Sequence, residues 1–177
     1  GSGIRILIIL RHRPNSLRHP NADYSDPGVY FVTLCTQDRL PIFGEITKNV
    51  FHGNEYSKIV WEVWKFLPTR YPQISIDTAI VMPDHFHGII YIHDLNRDMS
   101  AYADDVPPPY PHPQPRRMMT IPLVVGYLKM NTAKRINLLR NTPSVSVWQR
   151  NYFDKIIRID KYYDALTEYI LANPQRW

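Results

Sequence analysis

Between positions 74 and 92 the chain is almost wholly β-forming, broken only at Pro83-Asp84. Two such runs with a Pro-Asp step between them predict antiparallel strands, 74–82 and 86–92, closed by a turn. That commits the middle of the chain to a hairpin inside a sheet. The second strand is led in by His85-Phe86-His87. Side chains alternate along a strand, so His85 and His87 share one face about 7 Å apart at the backbone, while Phe86 turns into the core. Two imidazoles at that spacing can converge on one divalent ion. The plainer alternative is a half-buried strand with polar residues near its end.

The remaining elements follow in order. Residues 1–22 read as a basic extended arm, with Gly1-Ser2-Gly3 set aside as a tag remnant. The run 29–36 is dense in β-formers and is the first strand. Residues 41–53 read as a loop or short irregular excursion. From Asn54, Ile59, Val63, Phe66 and Leu67, with Val60 and Trp64 beside them, recur at helical spacing and predict a helix over 54–69. Pro107, Pro108, Pro109, Pro111, Pro113 and Pro115 exclude a helix or central strand, so 94–120 is expected to be an extended linker. After Pro122, Leu123, Val124, Tyr127, Leu128, Met130, Ile136, Leu138 and Leu139 support a second helix to about 140. Residues 145–148 suggest a short edge strand. Asp160 is a candidate N-cap for a last helix that Pro174 ends, with Tyr163, Leu166 and Ile170 facing the core. Alternating helices and antiparallel strands imply an α+β, ferredoxin-like sandwich, one central antiparallel sheet with helices packed on it.

Charge points to the partner. The net charge is only +5, but it is segregated. Arg5, Arg11, Arg13 and Arg18 precede any acidic residue, and between 116 and 158 nine cations face Asp154 alone. Such segregation favours a polyanion. The single cysteine, Cys35, excludes an internal disulfide and fits a reducing cytosol, so a cytoplasmic location is expected. No apolar run is long enough to span a membrane, and none is expected as a partner.

Two histidines need at least one more ligand. Tyr169 and Asn173 stand four residues apart on the last helix, on one face and one turn from each other. An Asn amide oxygen can bind Mg²⁺ or Mn²⁺, and two imidazoles with one amide oxygen and no thiolate suit an oxygen-loving ion with open positions better than a closed zinc site.

His85-Phe86-His87 and the ending Tyr169-Ile170-Leu171-Ala172-Asn173-Pro174 are joined by Tyr30-Phe31-Val32-Thr33-Leu34-Cys35-Thr36, by Val81-Met82-Pro83-Asp84, and by the stretch from Val147-Trp148-Gln149-Arg150 to Arg158. As an ordered set they resemble the REP-associated tyrosine transposases, single-tyrosine members of the HUH endonuclease class. The resemblance runs from about Asp23 to Trp177, which would make 23–177 the catalytic domain. It implies metal-dependent nicking and rejoining of single-stranded DNA beside a palindromic hairpin. His85, His87 and Asn173 would be metal ligands, and Tyr169 the nucleophile that forms a 5′-phosphotyrosine. It leaves open a monomer or a homodimer with swapped tyrosine helices. On charge and aromatic content, Lys129, Lys134, Arg135, Arg150, Lys155 and Arg158 are expected to track DNA phosphates, with Trp148 and Tyr152 stacking on unpaired bases. The rival reading is a hairpin-binding module that no longer cuts.

Overall fold

The alternation of apolar side chains in three strands sets the architecture. In the computed structural model, which describes residues 27–93, 119–157 and 163–175, strand β1 is Gly28–Cys35 and lies at the centre of a four-stranded sheet. It pairs antiparallel with β5 (His85–Ile92) on one side and with β6 (Phe153–Ile157) on the other, and β4 (Ile74–Met82) closes the far side of β5. The order β4-β5-β1-β6, with every pair antiparallel, is that of a ferredoxin-like sandwich.

Two helices cover one face: α1 (Glu55–Arg70) and α2 (Thr120–Leu139), packed on each other. The Asn54 side chain caps α1, its Oδ1 accepting from the Tyr56 and Ser57 amides at 3.0 and 3.2 Å. Ile59, Val60, Val63, Trp64 and Leu67 of α1 and Ile121, Val124, Val125, Leu128 and Ile136 of α2 bury against Tyr30, Val32, Leu34, Phe86 and Ile90 of the sheet. Gly88 is required at this contact, since a Cβ there would stand 2.6 Å from the Trp64 ring. The opposite face carries Val29, Phe31 and Ile89, and α3 (Tyr163–Leu171) packs on it through Ile170. The sheet is therefore covered on both faces.

Several sequence expectations change. Residues 41–53 contain a second, two-stranded sheet, β2 (Gly44–Thr47) with β3 (Val50–Gly53), turned by Lys48 and Asn49 at φ 51 and 61°. A two-residue turn of left-handed residues is what brings two four-residue strands into register. The edge strand expected at 145–148 is reduced to one bridge, Thr36 to Trp148. The edge strand is instead β6, where Asp154 and Lys155 interrupt the apolar run and hide it from a hydropathy pattern. Phe66, Leu123, Met130, Leu138 and Leu139 carry the helical period but are exposed, because each helix buries a narrower stripe than its apolar content suggests. The basic arm, the proline-rich linker up to 118 and the Asp160 cap lie outside the described residues, as do the side chains of Tyr163 and Leu166.

Candidate active site

The register of β1 against β5 builds the site. Thr33 is the cross-strand partner of His87, and Cys35 of His85, so all four side chains belong to the α3 face of the sheet. His85 and His87 are buried, and their ring centroids are 4.6 Å apart. The His85 Nδ1 lies 2.6 Å from Asp84 Oδ1, and the His87 Nδ1 lies 2.7 Å from Thr33 Oγ1. A carboxylate oxygen accepts, so His85 donates from Nδ1 and turns its Nε2 edge away from Asp84. Phe31 stacks on His87 at 5.2 Å. Burial, then the neighbouring His85, then Arg39 push the His87 pKa down to about 3, which keeps this imidazole neutral. A neutral imidazole is the form that ligates a metal.

Asp84 is held from the other side. Its Oδ2 lies 2.8 Å from Arg39 Nε, and Arg39 Nη1 donates to Cys35 Sγ at 3.0 Å. The Asp84 carbonyl accepts from both the amide and the hydroxyl of Thr36, at 2.9 and 3.0 Å, which fastens the β4–β5 turn to the end of β1.

The C-terminal helix brings the other two candidates. Tyr169 is half-buried, with its ring centroid 5.9 Å from that of His87 and the planes 60° apart. Asn173 is buried at the start of a 3₁₀ turn, Asn173–Gln175, and donates from Nδ2 to the Tyr169 carbonyl at 2.9 Å. That bond uses one of the two amide N–H donors and fixes Nδ2 toward the helix, which puts Oδ1, an acceptor suited to an ion, on the other arm of the amide. The turn abuts β3, so the hairpin missed by sequence reading adjoins the end of the tyrosine helix. Among the described residues no group of three or more His, Cys, Asp or Glu side chains is placed to hold a metal ion.

The expected DNA-contacting residues are less gathered. Lys129 donates to the Gln149 and Arg150 carbonyls at 2.6 and 2.8 Å, tying that segment to α2. Lys134 and Arg135 are exposed, but Arg135 pairs with Glu62 of α1. Both stand on the helical layer opposite the histidines. Arg150 is exposed. Trp148 is only 6% exposed, packs against Phe43 at 5.1 Å and donates from Nε1 to Thr132 Oγ1 at 2.8 Å. As placed it offers no face to a base, because its ring completes the core. Tyr152 is half-buried against the same core. The side chains of Lys155 and Arg158 lie outside the described residues.

Thr33, Asp84 and Arg39 escaped the sequence reading. Asp84 was legible only as a turn residue, and Thr33 and Arg39 only as part of a strand and its end. No spacing rule links position 39 to position 84.

No helix among the described residues is long and apolar enough to cross a membrane. No protein-family model matches the chain. The fold is similar to that of a REP-associated tyrosine transposase solved bound to a REP hairpin, at a TM-score of 0.58 and 16% identity, covering 92% of this chain and 73% of that one. In sequence, the chain is 32% identical over 171 residues to an uncharacterized protein of Haemophilus influenzae, covering 94% of this chain and 91% of the relative. With that identity sustained along nearly the whole of both chains, this protein belongs to the family of the Haemophilus influenzae protein.

Proposed function

We propose that this protein nicks single-stranded DNA and transfers the strand at hairpin-forming repeats of the REP type, using Tyr169 as nucleophile and a divalent metal, Mg²⁺ or Mn²⁺. One observation carries the reading: the Tyr169 ring lies 5.9 Å from the His87 ring within one chain. The structurally similar transposase binds a REP hairpin, and the choice of DNA comes from that likeness.

His85, His87 and Asn173 would hold the metal. The donor set fits: Nδ1 of each histidine and Nδ2 of Asn173 are engaged within the protein, directing Nε2 and Oδ1 elsewhere. The metal would supply charge withdrawal from the scissile phosphate. Tyr169 Oη would attack phosphorus, the bond to the 3′-oxygen would break, and the proton lost by the tyrosine would end on the departing 3′-OH. The phosphodiester becomes a 5′-phosphotyrosine of similar energy, so a 3′-OH can reverse the step and join strands without ATP. The Tyr169 and His87 rings meet within one chain, which supports assembly of the site by a single protomer.

The test is a hairpin oligonucleotide with single-stranded flanks, incubated with Mg²⁺ or Mn²⁺ and run under denaturing conditions. The expected result is a covalent adduct that Tyr169→Phe abolishes while hairpin binding persists. An adduct that survives Tyr169→Phe would move the nucleophile to another tyrosine, Tyr152 first. Hairpin binding by wild type with no cleavage would favour the non-cutting module.

A further inference from the structure

From the chain of contacts behind His85 we infer that Arg39 and Asp84 are positioning residues for that ligand, setting its tautomer and the direction of its Nε2. The inference rests on the metal-binding reading above. A carboxylate can turn about its bond to Cβ, but here both oxygens are claimed: Oδ1 by His85 Nδ1 at 2.6 Å, Oδ2 by Arg39 Nε at 2.8 Å. Arg39 is itself anchored, through Nη1 to Cys35 Sγ, and Cys35 is the cross-strand partner of His85. The contacts close a ring from β1 through the turn to β5 and back. A ring of this kind holds the imidazole in one plane and one tautomer, as outer partners of metal-bound histidines do.

Two features mark this arrangement as built for orientation rather than for closing the turn. First, the turn is fastened by the Asp84 carbonyl, which takes both Thr36 bonds, and the carboxylate makes none of them. Second, Asp38 and Arg39 hold φ of 54 and 55°. Side chains rarely sit in this left-handed region, so the loop carries a backbone cost at the very residue that reaches Asp84. That geometry delivers the Arg39 guanidinium to Asp84 from a residue whose own side chain is 51% exposed.

The experiment measures Mn²⁺ binding by the free-ion electron paramagnetic resonance signal, with no DNA present, on wild type, Asp84→Asn, Arg39→Ala, Arg39→Lys and His85→Ala. Ring ¹⁵N shifts of His85 are recorded on the metal-free proteins, and thermal melts check the fold. Asp84→Asn should weaken Mn²⁺ roughly 10- to 100-fold and mix the His85 tautomers, since an amide can donate as well as accept. Arg39→Ala should shift both readouts in the same direction by a smaller factor, and Arg39→Lys should restore part of it. If Asp84→Asn binds Mn²⁺ like wild type while His85→Ala does not, the positioning role is overturned and the metal site stands. If Asp84→Asn is weak but Arg39→Ala matches wild type, the share assigned to Arg39 is overturned. If His85→Ala binds as well as wild type, the metal site falls and the inference with it.

Discussion

Lowering the pH should unfold the metal-free protein through His87. This imidazole is 3% exposed, and its pKa falls from 6.5 to about 3 in the folded state. The unfolded chain therefore binds a proton that the folded chain refuses, and stability is lost as pH drops through 6.5 toward 3. By pH 5 the loss from this one group is about 2 kcal/mol, with a limiting slope of about 1.4 kcal/mol per pH unit and a ceiling of ~5 kcal/mol near pH 3. That ceiling is on the scale of a whole domain's stability, roughly 5–15 kcal/mol. The assay is urea denaturation with a chelator present, from pH 7.5 to 4.5, of wild type and His87→Gln. The variant keeps a neutral polar group near Thr33 but cannot titrate, so subtracting its curve removes the other ionisable groups. The difference should be flat above pH 7 and slope toward destabilisation of wild type below 6.5. Parallel curves would refute the argument, showing that water reaches His87 or that a neighbour accepts its charge.

Gly88→Ala should cost about 1–3 kcal/mol in urea denaturation, because its Cβ meets the Trp64 ring at 2.6 Å and the Phe86 ring at 3.0 Å. Trp148→Phe should destabilise by about 1–3 kcal/mol through the lost bond to Thr132, with hairpin affinity per folded molecule unchanged. Weaker hairpin binding at unaltered stability would return Trp148 to the stacking role that charge and composition suggest. Neutralising Lys134 and Arg135 together should flatten the slope of log K against log salt by about one unit rather than two, since Arg135 is already paired with Glu62. An unchanged slope would place the DNA away from α2.

The site was partly legible because its spacing rules are local. His85 and His87 share a face because strand side chains alternate, and Tyr169 and Asn173 are near each other because four residues make about one helical turn. The structure bears out that the last helix packs on the sheet, through Ile170 against Val29, Phe31 and Ile89. The hairpin β2–β3 was missed because its strands are only four residues long and mostly exposed, so little hydrophobic pattern announces them. The burial of Trp148 was hidden for a different reason. Its basic neighbour Arg150 is exposed, while the indole turns inward to Phe43 and Thr132.

By itself the sequence determined the strands β1, β4 and β5, the helices that cover them, and the pairing by position of His85 with His87 and of Tyr169 with Asn173. Those depend on period, propensity and side-chain chemistry, all carried within short windows. Only the tertiary structure decided which sheet face the last helix covers, that β6 rather than 145–148 forms the edge beside β1, and that Tyr169 meets His87 in the same chain. It alone joined Arg39 to Asp84 and Thr33 to His87, contacts spanning 45 and 54 positions. Long-range pairing depends on how the sheet closes and which faces bury together, and no local pattern records that.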